Sequence, residues 1–157
     1  MNNIAVFVDV QNIYYTTRQA FGRPFNYRKL WQHLEQQGEI NIANAYAIES
    51  QDDRQIKFQH ALKHMGFDVK LKPFIQRADG SAKGDWDVGI TIDMLEQAAS
   101  MDTVVLLSGD GDFDLLLKKL HEKYACHIQV YGVPALTATS LMNAADQYIA
   151  ISEQWLL

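Results

Sequence analysis

Cysteine, proline and long apolar stretches are all scarce in this chain of 157 residues. The single cysteine, Cys126, excludes an internal disulfide and favours a reducing compartment such as the cytoplasm. No apolar run approaches the roughly 20 residues that a transmembrane helix needs, so we do not expect a membrane protein. The opening residues, MNNIAVFVDVQN, carry an aspartate inside the apolar stretch and no basic segment before it, which is unlike a signal peptide.

Basic residues are also fewer than acidic ones: the chain has 14 Lys and Arg residues and 19 Asp and Glu residues, which gives a formal net charge of −5. The charge is nevertheless uneven. Residues 54–83 contain seven basic and two acidic residues, which gives this segment +5 and the remainder −10. Such asymmetry suits a surface that contacts a polyanion, although a solvated helix face with lysines along an edge strand would give the same pattern. The seven basic residues are Arg54, Lys57, Lys63, Lys70, Lys72, Arg77 and Lys83.

Apolar residues make up 48% of the chain, and they occur in short runs. The β-branched and aromatic runs predict strands at 4–10, 40–49, 67–74, 103–108, 127–133 and 148–152. Intervening stretches predict helices at 12–21, 27–38, 52–65, 85–99, 113–124 and 138–145, and the polar residues 75–84 predict a mobile loop. Because strands and helices alternate throughout, we expect a single domain over residues 1–157, with an α/β fold in which helices cover both faces of a mostly parallel sheet.

Acidic residues gather at three points of this pattern. Asp9 closes the first strand, Asp87 lies at the start of helix 85–99, and Asp110 and Asp112 follow the strand at 103–108. Ligands bind beyond the carboxyl ends of parallel strands, so Asp9 and Asp110 converge if their two strands are neighbours. Helix capping would account for Asp112 taken alone, but an unpaired carboxylate at the end of a buried strand is costly.

A divalent cation would explain this concentration of like charges. Mg²⁺ and Mn²⁺ prefer oxygen ligands, and carboxylates completed by phosphate oxygens are suited to hydrolysing a phosphodiester. The candidate ligands are Asp9, Asp87, Asp110, Asp112 and, in second place, Asp93. Asp93 ranks lower because it lies six residues after Asp87, which turns it roughly 120° away on a regular helix.

Three segments, VFVDVQN, KGDWDVGITIDM and LLSGDGDF, resemble in their order the NYN domain of the LabA-like group, within the PIN-like nuclease superfamily. The resemblance runs from Ile4 to about Ile151. It implies a three-layer Rossmann-like sandwich and a metal-dependent ribonuclease that acts on RNA. The matching positions are Asp9, Asn12, Asp87 with help from Asp93, Asp110 and Asp112, and Lys83 with Gly84 matches the Lys-Gly that precedes the central acid of the family.

RNA is therefore the expected partner, and a homodimer is the default expectation for assembly. The candidate RNA contacts are Asn12, Arg77, Lys83 and Ser108. Tyr14 or Tyr15 could stack on a base, as could Trp86 between two acids, although packing roles would explain the same residues.

Two other functions remain open at this stage. A non-catalytic RNA-binding or regulatory module could keep the same fold and even the same ion. A phosphatase of the haloacid-dehalogenase type would use Asp9 as its nucleophile, but that family has an aspartate two residues later, where this chain has Gln11. His60 and His64 are spaced as a possible metal pair, but no third ligand accompanies them.

Overall fold

The computed structural model describes residues 2–73, 75–76, 82–83 and 85–157. Six strands form the main sheet: β1 (Asn3–Asp9), β2 (Glu39–Ile48), β3 (Asp68–Lys72), β6 (Thr103–Leu107), β7 (His127–Gly132) and β8 (Gln147–Ala150). Their order is β3-β2-β1-β6-β7-β8, and every neighbouring pair is parallel. Two short strands, β4 (Ile75–Gln76) and β5 (Ala82–Lys83), pair separately and antiparallel.

The helices cover the two faces of this sheet. They are α1 (Val10–Phe21), α2 (Tyr27–Gln37), α3 (Asp53–Met65), α4 (Asp87–Gln97), α5 (Asp114–Lys123) and α6 (Thr139–Ala144). Residues of α1, α2 and α3 share one buried cluster with the sheet, and residues of α4, α5 and α6 share the other. The predicted α/β sandwich with a parallel sheet between two helical layers is confirmed. Among the helices of the described residues, none combines the length and the apolarity needed to cross a bilayer.

Strand β1 lies at the centre of the molecule because its side chains are apolar on both sides. Ile4, Val6 and Val8 enter the cluster on the α1 face, while Ala5 and Phe7 enter the cluster on the α4 face. All five side chains are completely buried. A strand buried on both faces reads as a continuous apolar run rather than an alternating one, as the sequence had indicated.

The predicted loop 75–84 contains the backbone pairing of β4 with β5. Arg77 and Gly84 lie outside the described residues, and only the backbone of Lys83 is described. The other departures are at element ends: α1 begins at Val10, directly after β1, and Asp9 caps this helix.

The connections between strands lead to opposite sides of the sheet at the boundary between β1 and β6. After β1 the chain builds β2 and β3 on one side, and it later returns to form β6 on the other side of β1. The register pairs Val8 with Leu107, so the residues that follow these two strands emerge at the same edge of the sheet. A crevice forms where connections diverge in this way, and it is the usual ligand site of an open parallel sheet.

Candidate metal centre

Three carboxylates meet at the crevice between β1 and β6. Asp87, Asp110 and Asp112 each offer one oxygen atom, and these atoms all lie within 4.8 Å of one another. Asp87 is the first residue of α4, whereas Asp110 and Asp112 belong to the turn that joins β6 to α5. These three residues, called here the acidic trio, provide oxygen ligands alone, which fits a hard cation such as Mg²⁺ or Mn²⁺.

The turn after β6 explains how two of these carboxylates reach the same place. A single turn of 3-10 helix spans Gly111–Phe113 before α5 begins. Asp110 Oδ1 caps this turn by accepting a hydrogen bond of 2.9 Å from the Asp112 backbone N–H. The capping role considered for Asp112 therefore belongs to Asp110, and the exposed Asp112 carboxylate joins the trio.

Asp9 lies behind the acidic trio and is held by two donors. Its Oδ2 accepts a hydrogen bond of 3.1 Å from the Ser108 hydroxyl, and its Oδ1 accepts a longer one of 3.5 Å from the Asn12 backbone N–H. The pKa of Asp9 is raised to about 6, chiefly by burial and to a lesser extent by the charges of Asp110 and Asp85, although the two hydrogen bonds lower it. Asp9 is thus an electrostatic neighbour of the trio rather than one of its members.

Ionisation is disfavoured within the trio as well. The pKa of Asp87 is raised to about 7, chiefly by burial and then by the neighbouring Asp110 carboxylate and the charges of Asp85 and Asp9. Like charges that share a desolvated site disfavour ionisation, and a bound cation removes this penalty. The donor set and the raised pKa values together favour a divalent ion at this position.

Two polar side chains fix the relative positions of the strand ends. The Ser108 hydroxyl donates to Asp9 and accepts a hydrogen bond of 3.1 Å from the Asp110 backbone N–H. Asn12 Oδ1 accepts a hydrogen bond of 2.9 Å from the Gly109 backbone N–H, which ties α1 to the same turn. Ser108 is completely buried, so it positions carboxylates and is not placed to touch RNA, in contrast to the role expected from the sequence.

Asp93 is not part of the trio, although the sequence suggested it as a further ligand. Its Oδ2 accepts a hydrogen bond of 2.7 Å from the Tyr46 hydroxyl and lies 3.3 Å from the Lys70 ammonium group. The helical rotation between positions 87 and 93 turns this carboxylate away from the strand ends. Asp93 instead joins α4 to β2 and β3 through partners that the sequence pattern did not reveal.

Trp86 anchors the start of α4 instead of offering its ring to a ligand. The indole Nε1–H donates a hydrogen bond of 2.8 Å to the Ala47 carbonyl oxygen, and the ring centroid lies 5.2 Å from that of Tyr46. The Lys72 ammonium group lies 4.5 Å from the centroid of the indole ring. These contacts favour the packing role of Trp86, and they hold the neighbouring Asp87 against the sheet.

The α/β sandwich with acidic residues at its central crevice indicates the class of protein, and comparison with known sequences identifies the family. The chain belongs to the NYN domain family, whose family model matches residues 3–152. The resemblance to the LabA-like group is thereby confirmed, and the fold is of the nuclease type.

Two individual relatives extend this result. The low amplitude and bright protein LabA of Synechococcus elongatus is 32% identical over 160 residues, which cover 97% of this chain and 85% of that protein. The crystal structure of a protein of unknown function, VPA0982 from Vibrio parahaemolyticus, superposes with a TM-score of 0.94 at 51% identity. That match covers 99% of this chain and 96% of the Vibrio chain.

The raised pKa of Asp87 predicts that this carboxylate destabilises the metal-free protein at neutral and higher pH. Its ordinary pKa of 3.8 applies to the unfolded chain, whereas the folded value is about 7. Between these values the folded state binds more protons, so the contribution of Asp87 to the free energy of unfolding falls as pH rises. We expect Asp87→Asn to raise the free energy of unfolding by about 0.5–2 kcal/mol at about pH 8 in EDTA, and by less at about pH 5.

Urea unfolding at the two pH values measures this difference, and Mn²⁺ should stabilise the wild type more than Asp87→Asn. The matched control is Asp93→Asn, because it changes a carboxylate of the same helix that is already paired. It should lower the free energy of unfolding by about 1 kcal/mol and leave the effect of Mn²⁺ intact. An Asp87→Asn variant no more stable than wild type at the higher pH would argue against electrostatic conflict at the trio.

Gly109 should be essential to the geometry of the turn after β6. A Cβ atom at this position would lie 2.5 Å from the Leu136 carbonyl oxygen, a backbone atom that has no rotamer to change. We expect Gly109→Ala to lower the free energy of unfolding by about 1–3 kcal/mol and to weaken Mn²⁺ binding, since Asp110 must shift with its neighbour.

The control for this loss of stability is Gly22→Ala at the end of α1. Gly22 has a φ of 66° but nothing within 4 Å of its added Cβ, so only backbone strain of about 1–2 kcal/mol is expected there. Denaturation and Mn²⁺ titration of both variants separate the two effects. Equal Mn²⁺ affinity in wild type and Gly109→Ala would show that the turn does not set the position of the ligands.

Proposed function

We propose that this protein is a metal-dependent ribonuclease that hydrolyses RNA phosphodiester bonds. The observation that carries the proposal is the acidic trio, with its three carboxylate oxygens within 4.8 Å at the central crevice of an NYN fold. We propose the single domain over residues 1–157 as the active unit and the cytoplasm as its compartment, where Cys126 stays reduced.

The acidic trio would hold Mg²⁺ or Mn²⁺, with Asp9 as a further acidic group behind it. When bound, such an ion polarises a phosphoryl oxygen and lowers the pKa of a coordinated water molecule. The protein contributes the alignment: Ser108 fixes Asp9 relative to the Asp110 backbone, and Asn12 fixes the turn that carries Asp110 and Asp112. Rigid support of this kind keeps ligands within the narrow tolerance that catalysis needs.

Two lysines of β3 lie along helix α4, which begins at the acidic site, and they support RNA as the substrate. Lys72 donates a hydrogen bond of 3.1 Å to the carbonyl oxygen of Asp85, two residues before Asp87, and Lys70 lies against Asp93 of helix α4. Lysine side chains near a metal site attract the phosphate backbone without reading its sequence. Arg77, Lys83 and Asn12 remain proposed contacts to RNA on the basis of the sequence.

The direct test is a cleavage assay on labelled single-stranded RNA with Mg²⁺ or Mn²⁺. We expect cleavage by the wild type, its loss in EDTA, and a decrease of about 100-fold or more in Asp110→Asn, which lacks one carboxylate of the trio. Asp114→Asn is the matched control, because Asp114 lies four residues further along the same segment and outside the trio. It should cleave at a rate close to that of the wild type.

Circular dichroism of each variant verifies that the fold is retained. RNA binding without cleavage by the wild type, with either metal, would instead identify a non-catalytic RNA-binding module. Release of phosphate from small phosphomonoesters, with an acyl-phosphate trapped on Asp9, would identify a phosphatase.

A further inference from the structure

The outer face of α1 carries aromatic and basic side chains that the core does not use. Val10, Ile13 and Thr17 are buried on the inner face of this helix. Four other residues, Gln11, Tyr14, Tyr15 and Arg18, are spaced i, i+3, i+4 and i+7, which brings them into one stripe beside the buried face, roughly 120° around the helix axis from it. Tyr15 is 61% exposed, so the buried core does not account for its ring.

A groove runs along this stripe between α1 and α3. Its inner part is a cavity of about 250 Å³ that begins at Val10, beside Asp9, and extends past Gln11, Tyr14 and Tyr15. A second cavity, of about 240 Å³, shares Tyr14 and Gln55 with the first and continues along α1, away from Asp9, to Thr17 and Arg18. This α1–α3 groove is defined here by the residues Gln11, Tyr14, Tyr15, Arg18, Arg54 and Gln55.

The groove combines the three kinds of group that bind single-stranded nucleic acid. Tyr14 and Tyr15 supply rings, with centroids 5.4 Å apart in an edge-to-face arrangement. Arg18 places its guanidinium carbon 4.4 Å from the centroid of the Tyr14 ring, and both Arg18 and the exposed Arg54 line the second cavity. Rings bind bases by stacking, arginines bind phosphates and stack on bases, and glutamine amides can hydrogen-bond to base edges.

The distance from the acidic site is suitable for nucleotides close to the point of cleavage. Tyr14 lies five residues beyond Asp9, which corresponds to about 7 Å along the axis of α1. We propose that the α1–α3 groove binds unpaired bases of single-stranded RNA next to the scissile phosphate, with Tyr15 and Tyr14 as the stacking surface. The location of the scissile phosphate rests on the proposed function, whereas the groove itself does not.

Base pairing of the RNA should therefore oppose binding. In a duplex the base faces are stacked on one another and cannot reach the tyrosine rings. Arg18 and Arg54 would still attract a duplex through its phosphates, but this contribution is independent of the rings and sensitive to salt. A preference for single strands that disappears when a ring is removed is thus the distinguishing property of this groove.

The test is fluorescence anisotropy in EDTA, where no cleavage occurs, with labelled oligouridine and a labelled RNA duplex of the same length. We expect the wild type to prefer the single strand and Tyr15→Ala to lose about 10-fold in affinity for it. Tyr15→Phe keeps the ring and should bind within a factor of about two of the wild type. Tyr15 is exposed, so these variants should fold normally.

The control is Tyr124→Ala, which removes a ring with a neighbouring lysine, Lys123, just beyond the end of α5. It should leave oligouridine affinity unchanged. Equal affinity of wild type and Tyr15→Ala for oligouridine, or equal affinity of the wild type for the two RNA forms, would overturn the proposal.

Cleavage measurements separate this inference from the proposed function. If oligouridine binds in a manner that depends on Tyr15 but no metal supports cleavage, the groove is confirmed and the ribonuclease proposal fails. If RNA is cleaved and Tyr15→Ala has the same kcat/KM as the wild type, the ribonuclease proposal holds and the groove is overturned. If both the groove proposal and the ribonuclease proposal are correct, Tyr15→Ala should raise KM about 10-fold and change kcat much less.

Discussion

The parallel pairing of β1 with β6 is the constraint on which the candidate site depends. It brings Asp9 and the Ser108–Asp110 turn to one edge of the sheet, and the Ser108 hydroxyl then contacts both the Asp9 carboxylate and the Asp110 backbone. A shift of one residue in this register would place the alternate side chains of β1 on the wrong faces of the sheet. Since Val6 and Val8 bury on one face and Phe7 on the other, the core itself resists such a shift.

Unfavourable interactions between carboxylates are concentrated at this same edge of the sheet. Burial raises the pKa of Asp9 and Asp87, and both are raised further by neighbouring carboxylates. A fold selected for stability alone would replace these residues with neutral ones, because like charges that share a partly desolvated site disfavour each other's ionisation. The network in which Asp93 of α4 contacts Tyr46 of β2 and Lys70 of β3 is a useful contrast, since there each charged or polar group has a partner and the contacts link helix to sheet.

The sequence was sufficient to predict the layers of the fold and the convergence of Asp9 with Asp110, because both follow from the alternation of apolar runs and helices. It was not sufficient to assign Ser108 or Asp93. Whether a serine after a strand points into the core or toward a ligand depends on the backbone of the following turn, here fixed by Gly109 and Asn12. The partners of Asp93 come from β2 and β3, so only the folded chain shows that its carboxylate is already engaged.

Aromatic residues near the candidate site differ in whether packing within the folded chain accounts for their presence. Trp86 has a hydrogen bond to Ala47, a ring contact with Tyr46 and a nearby lysine, so the packing of α4 accounts for its presence. Tyr15 is mostly exposed, and its aromatic contact is with Tyr14, the next residue of the same helix. A large exposed ring adds little to the free energy of unfolding, since apolar surface stabilises the folded chain only when water is excluded from that surface. Its surface therefore becomes energetically useful when another flat apolar group covers it, which is the physical basis for assigning this face of α1 to binding rather than to folding.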